Sequence, residues 1–176
     1  WPNGKTTDLW IIENLKINNN LLGNLNLDII GDDALKNFEI NSSIQNKNVK
    51  AFNAIGNLII DDNKTTLDLN LDFEKFNLGI LSTIGGSTVS NIKGFASGKA
   101  RINGDVENFD MNGRLFVDDA GLKIPYINTE YKFDNQTIVD VTRDKFIFNN
   151  IVLKDTKYET KGKLTGNISH KNFGDW

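Results

Sequence analysis

Between residues 67 and 73 the chain alternates without exception. Leu67, Leu69, Leu71 and Phe73 are apolar, while Asp68, Asn70 and Asp72 between them, and Glu74 after them, are polar or acidic. A period of two places all four apolar side chains on one face of an extended strand and leaves the acids and amide on the other. The same pattern recurs in Leu25, Leu27 and Ile29 against Asn24, Asn26 and Asp28, and in Met111, Gly113, Leu115 and Val117 against Asn112, Arg114 and Asp118. Further strands are expected at Ile127, Thr129, Tyr131 and Phe133, at Phe146 with Phe148, and at Gly162, Leu164, Gly166 and Ile168.

Turn chemistry punctuates these runs at Gly31-Asp32-Asp33, Asp61-Asp62-Asn63, Gly104-Asp105, Asp118-Asp119-Ala120-Gly121 and Asp134-Asn135. The cadence leaves no room for the helical crossovers that parallel strands need, so an antiparallel meander is expected. One stretch breaks the rule. Phe76, Leu78, Ile80, Leu81 and Ile84 recur at helical intervals before Gly85-Gly86, which predicts a short amphipathic helix over 75–84. The fold class is therefore all-β, an antiparallel meander with one short helix.

Composition narrows the function. At 176 residues with 39% hydrophobic side chains, the chain is long enough to fold around an apolar interior. A net charge of −3, with no basic stripe, argues against nucleic acid, whose affinity comes from clustered Lys and Arg releasing counterions. No cysteine is present, so neither disulfides nor thiolate-bound metal enter the argument. No run reaches the ~18 apolar residues of a spanning helix, and residues 1–15 lack the pattern of a signal peptide. The chain starts at Trp1 and stops at Trp176 in mid-pattern, so we expect a single elongated β segment, residues 1–176, of a longer protein.

The chemistry-bearing residues are sparse. His170 is the only histidine, which excludes a multi-histidine metal site, and it is expected to cap a strand end. No nucleophile elbow, P-loop or dinucleotide fingerprint occurs, and the acids alternate with apolar residues as a solvated face requires. The acidic doublets Asp32-Asp33, Asp61-Asp62 and Asp118-Asp119 lack the spacing of a calcium loop and read as turn residues. Asn is abundant, and the acceptor patterns beginning at Asn41, Asn63, Asn135 and Asn167 follow from that bias. The expectation is a non-enzyme without cofactor or metal.

Glycine spacing is the remaining signal. Gly94, Gly98 and Gly104 fall within or at the ends of one strand, and Gly113 opens the next. Glycine weakens a strand, so such a series marks bulges, tight twist or close backbone approach. With these residues, Ile124-Pro125-Tyr126-Ile127-Asn128 before Tyr131 and the closing run from Gly166 to Phe173, residues 92–173 resemble the C-terminal region of the TamB (translocation and assembly module B) family, of the AsmA-like group. Asn108-Phe109-Asp110 stands where family members often carry a proline.

That resemblance implies a periplasmic segment of an inner-membrane-anchored envelope protein in a Gram-negative bacterium. It implies an elongated, curved sheet that forms an open β-trough with an apolar lining, of the bridge-like lipid-transfer kind, and a TamA-like outer-membrane barrel as partner. It further implies a role in phospholipid transport between the membranes, in outer-membrane protein assembly, or in both. The residues themselves add candidates for the lining: Leu67, Leu69, Leu71, Phe73, Ile102, Leu115, Val117, Tyr131, Phe133, Phe146, Phe148 and Leu164. Leu, Ile and Phe outnumber Trp and Tyr there, which suits acyl chains better than stacked sugar rings. Two other readings use the same alternation: a docking module that pairs edge strands with a barrel partner or its substrate, and a closed β-sandwich adhesin or carbohydrate-binding module whose apolar residues are core.

Overall fold

The computed structural model describes residues 6–17, 20–61, 63–83 and 87–171. Eleven strands form one antiparallel sheet: β1 (Thr6–Ile17), β2 (Asn20–Gly31), β3 (Asn37–Asn46), β4 (Val49–Asp61), β5 (Lys64–Asn77), β6 (Ser90–Asp105), β7 (Asn108–Ile124), β8 (Thr129–Phe133), β9 (Thr137–Thr142), β10 (Lys145–Asp155) and β11 (Lys161–Ser169). Each strand from β1 to β7 pairs with its successor, as a meander requires. β8 and β9 then lie end to end between β7 and β10: Ile124 pairs with Thr129 and Asn112 with Thr142 along the same neighbour. They are one long strand interrupted at residues 134–136.

Register carries the alternation across the sheet. Leu27 lies opposite Ser42, Ser42 opposite Ala54, Ala54 opposite Leu71, Leu71 opposite Ala100, Ala100 opposite Gly113 and Gly113 opposite Val141. Side chains directly opposite share a face, so the apolar sets of all these strands add into one inner face. Two groups of buried residues sit on it. Ala54, Leu71 and Ala100 anchor one, while Ala96, Val117, Ala120, Val139, Phe148 and Ile151 anchor the other.

The expected trough is not clearly open: the sheet curls into a partly closed small barrel. Two physical causes operate at its C-terminal half. Small inward residues, Ala96, Gly98, Ala100, Gly113 and Ala120, let β6 and β7 approach and coil. Bulges add twist, with register shifts between Phe73 and Phe76, twice along the β6–β7 pair, and between Phe148 and Ile151. Closure is incomplete all the same. The accessible surface is 11260 Å², about 30% above the roughly 8,600 Å² of a compact monomer of 19.7 kDa.

Three local expectations change. β5 continues to Asn77, and a six-residue 3-10 segment, Leu78–Thr83, replaces the helix expected over 75–84. The bulge with Lys75 at φ 51° is the reason, because one extra residue separates the inward Phe73 and Phe76 by three positions, which mimics helical spacing. Asp118-Asp119-Ala120-Gly121 is a bulge within β7 rather than a turn, with Asp119 at φ 49°. Ile127 belongs to a 3-10 turn, Pro125–Ile127, ahead of β8. Ile84 and Gly85-Gly86 of the expected helix end, Asp62 of the second doublet, and Asn172 and Phe173 of the closing motif lie outside the described residues.

Candidate apolar binding face

All twelve candidate lining residues fall on the inner face. Leu67, Leu69, Leu71 and Phe73 project from β5, with Ile102 of β6 opposite Leu69. Leu115 and Val117 of β7 lie opposite Gly98 and Ala96. Tyr131 lies opposite Leu122, and Phe133 opposite Leu153. Phe146 and Phe148 of β10 face Ile168 and Gly166, and Leu164 of β11 faces Ile151. They do not make one continuous patch, however. Leu69, Leu71, Phe73 and Ile102 pack in the first group; Leu115, Val117, Phe133, Phe146, Phe148 and Leu164 pack in the second; Leu67 and Tyr131 belong to neither.

The two halves differ in access. Over β6–β11 the face is packed, with Val117 and Phe148 4% and 6% exposed. The 3-10 segment lies over this half, placing Leu78 and Leu81 toward Leu115, Val117, Phe133 and Phe148. A cavity of about 100 Å³ remains beneath it. A second of about 280 Å³, bounded by Leu122, Ile124, Leu153 and Leu164, shares Phe133, Phe148 and Ile168 with the first. The first is smaller than an engineered apolar cavity of ~150 Å³ that holds one benzene ring. Over β1–β5 the same face is more open: Phe52, Phe73 and Phe76 form a half-buried aromatic cluster with ring centroids 5.3–6.2 Å apart, and Trp10 is 62% exposed.

The sequence overlooked part of this face. Phe52, Ala54, Gly56 and Leu58 of β4 also point inward, opposite Phe73, Leu71, Leu69 and Leu67. The signal was masked because Ala54 and Gly56 are small while Ile55 and Ile59 occupy the outer face at 50% and 46% exposure.

The glycines explain the close approach. Gly98 sits at φ +145° with its missing Cβ aimed at the Arg114 carbonyl, and Gly94, at φ +106°, abuts the Ala120 backbone. Neither position accepts a side chain without moving the next strand. Gly113 faces Ala100 directly, while Gly104 and Gly166 lie opposite Phe109 and Phe148.

The outer face is polar and charge-paired. Asp72, Lys99, Arg114 and Asp140 lie in one row across β5, β6, β7 and β9. Arg114 donates to both oxygens of Asp140 at 2.7 and 3.2 Å, and Arg101 to both of Asp68 at 2.9 and 2.7 Å. These hydrogen bonds hold both carboxyls below the usual carboxylate range. Such exposed pairs add little stability; their effect is to keep this face wet.

The acidic doublets serve loops. Asp32 accepts hydrogen bonds from the Lys36 and Asn37 backbones and from the Asn37 amide, and Asp118 accepts from Gln136. Among the described residues no group of three metal-ligating side chains converges. His170 follows β11, its backbone N–H donating to the Asp144 carbonyl, and its ring packs 5.3 Å from that of Phe146.

No family model matches the chain, and neither a curated protein nor a solved structure is found to be similar to it.

Proposed function

We propose that this chain is a non-catalytic binding segment that shields apolar cargo, phospholipid or a hydrophobic stretch of polypeptide, along the inner face of its sheet. The observation that carries this reading is the register: it gathers the apolar positions of consecutive strands on one face while the opposite face holds paired charges. Over β1–β5 that face would serve as an open trough, with Trp10, Phe52 and Phe73 as contact residues. In the TamB-like setting the segment would lie in the periplasm, linked to an inner-membrane anchor and a TamA-like barrel, and would support phospholipid movement or outer-membrane protein assembly. Mass spectrometry of organic extracts from gently purified protein should find co-purified phospholipid; repeatedly clean extracts would sink the proposal.

One observation favours a second reading, docking through a sheet edge. β1 is an edge strand in which Leu9, Trp10, Ile11 and Ile12 are consecutive and 64%, 62%, 59% and 44% exposed. Unpaired backbone groups beside exposed apolar side chains are a template for strand addition. Photo-crosslinkers at Trp10 and Phe73 separate the readings: lipid adducts at both support cargo binding, and protein adducts confined to Trp10 support docking.

A further inference from the structure

We propose that the 3-10 segment Leu78–Thr83 is a self-ligand of the inner face, occupying the apolar space that cargo would take and having to lift before cargo enters the half formed by β6–β11. The inference rests on the binding reading above and adds how that site is regulated.

The segment connects two neighbouring strands, which a short hairpin turn could have done. Instead it lies over the inner face and reaches the far side of the curl. There the Asn20 side-chain amide at the start of β2 donates to the Gly79 carbonyl at 3.2 Å. On the near side the Ser82 hydroxyl donates to the Ile92 carbonyl in β6 at 2.8 Å. The segment thus bridges strands that are four places apart in the sheet. Its leucines are the apolar lid of the cavity below.

Its construction suits displacement. Runs of 3-10 geometry longer than 3–4 residues are uncommon because their hydrogen bonds are poorly aligned, and this one has six residues. From Leu78 to Ser82 every side chain is only half-buried. Natural cores are close-packed, yet Leu78 and Leu81 leave about 100 Å³ unfilled beneath them. Elements with few buried contacts open at small free-energy cost. This space adjoins the cavity of about 280 Å³, with which it shares Val89, Leu122, Phe133, Phe148 and Ile168, and together they reach the ~300 Å³ at which ligand sites begin.

A self-ligand competes with cargo, so apparent affinity scales with the fraction of molecules whose segment is lifted. Two measurements test this with a dansyl-labelled undecanoic acid as the probe. Asn20→Ala and Leu81→Ser, each checked for a wild-type circular dichroism spectrum, should bind the probe about five- to tenfold more tightly. In the wild-type protein, saturation with the probe should speed amide exchange at residues 80–83. Folded variants that bind no tighter than wild type, together with unchanged exchange on loading, would overturn the proposal while leaving the binding reading intact. If Leu81→Ser does not fold, Asn20→Ala and the wild-type exchange experiment decide. Absence of probe binding by every form would remove the binding reading and the self-ligand with it.

Discussion

Gly98 and Gly162 both stand on the inner face of a strand, and only one is irreplaceable. A methyl group at Gly98 would meet the Arg114 carbonyl in a backbone conformation that L-residues rarely adopt, whereas one at Gly162 meets nothing within 4 Å. Gly98→Ala should cost about 2–4 kcal/mol, lowering the melting temperature by roughly 5–15 °C for a chain of this length. Gly162→Ala should leave it within about 2 °C, and equal losses at the two positions would refute the close-approach account. His170 carries a second residue-scale prediction. Burial pushes its pKa below the ordinary 6.5, opposed in part by nearby Asp144. Its folded form therefore resists the proton that the unfolded chain accepts, so stability is lost as pH falls below 6.5 toward the folded pKa and is unaffected above it. Thermal melts at pH 7.5 and pH 5 should show a larger drop for wild type than for His170→Phe.

At the scale of the strand, four bulges share one design. Asn14, Lys75, Asp119 and Asn150 sit at φ 49–53°, and each donates its backbone N–H to a neighbouring polar side chain: Asn24, Ser97, Asn135 and Thr165 respectively. The bulged strands place Phe73 opposite Gly98 and Phe148 opposite Gly166, so the β5–β6 and β10–β11 hairpins repeat one arrangement of Phe, bulge, hydroxyl and Gly. Lys75 is the exception in residue type, since Asn and Asp tolerate left-handed backbone better. Lys75→Asn should stabilise by about 0.5 kcal/mol, and Asn150→Val should destabilise by about 1–2 kcal/mol, both read from denaturant midpoints at constant m-value. These bulges also show why the fold was only partly legible in the sequence. The strict alternation of β5 and of β7 before Val117 needs nothing but the pleat, and it was read correctly. Where a bulge intervenes, inward residues stand three apart, as in Phe73 and Phe76 or Val117 and Ala120, and a two-residue period cannot represent them. The twelve inward positions were legible for the same reason; β4, with Ala54 and Gly56 inside and Ile55 and Ile59 outside, was not.

At the scale of the whole molecule, the curl and the 3-10 segment Leu78–Thr83 cover part of the inner face, and neither has a period to betray it. They arise from small residues opposite one another on different strands and from the hydrogen bond between Asn20 and Gly79, fifty-nine positions apart. A sheet that curls without closing keeps two edges, and they differ. β11 carries Lys161 and Lys163 and the glycines 162 and 166, features that discourage strand addition, whereas the Thr7–Ile12 stretch of β1 carries Asp8 as its only charge. If isolated chains associate through β1, sedimentation should show a concentration-dependent species that Ile11→Lys abolishes without altering the melting temperature by more than about 2 °C.

Such asymmetry fixes the arithmetic of any self-association. A β1 edge can meet another β1 edge about a two-fold axis, and the union consumes both. Lysine and glycine on the β11 margin would discourage a third chain from adding there. If isolated chains associate in this way, a molecule built almost wholly of strands, which would be expected to polymerise if both margins were alike, should stop growing at two.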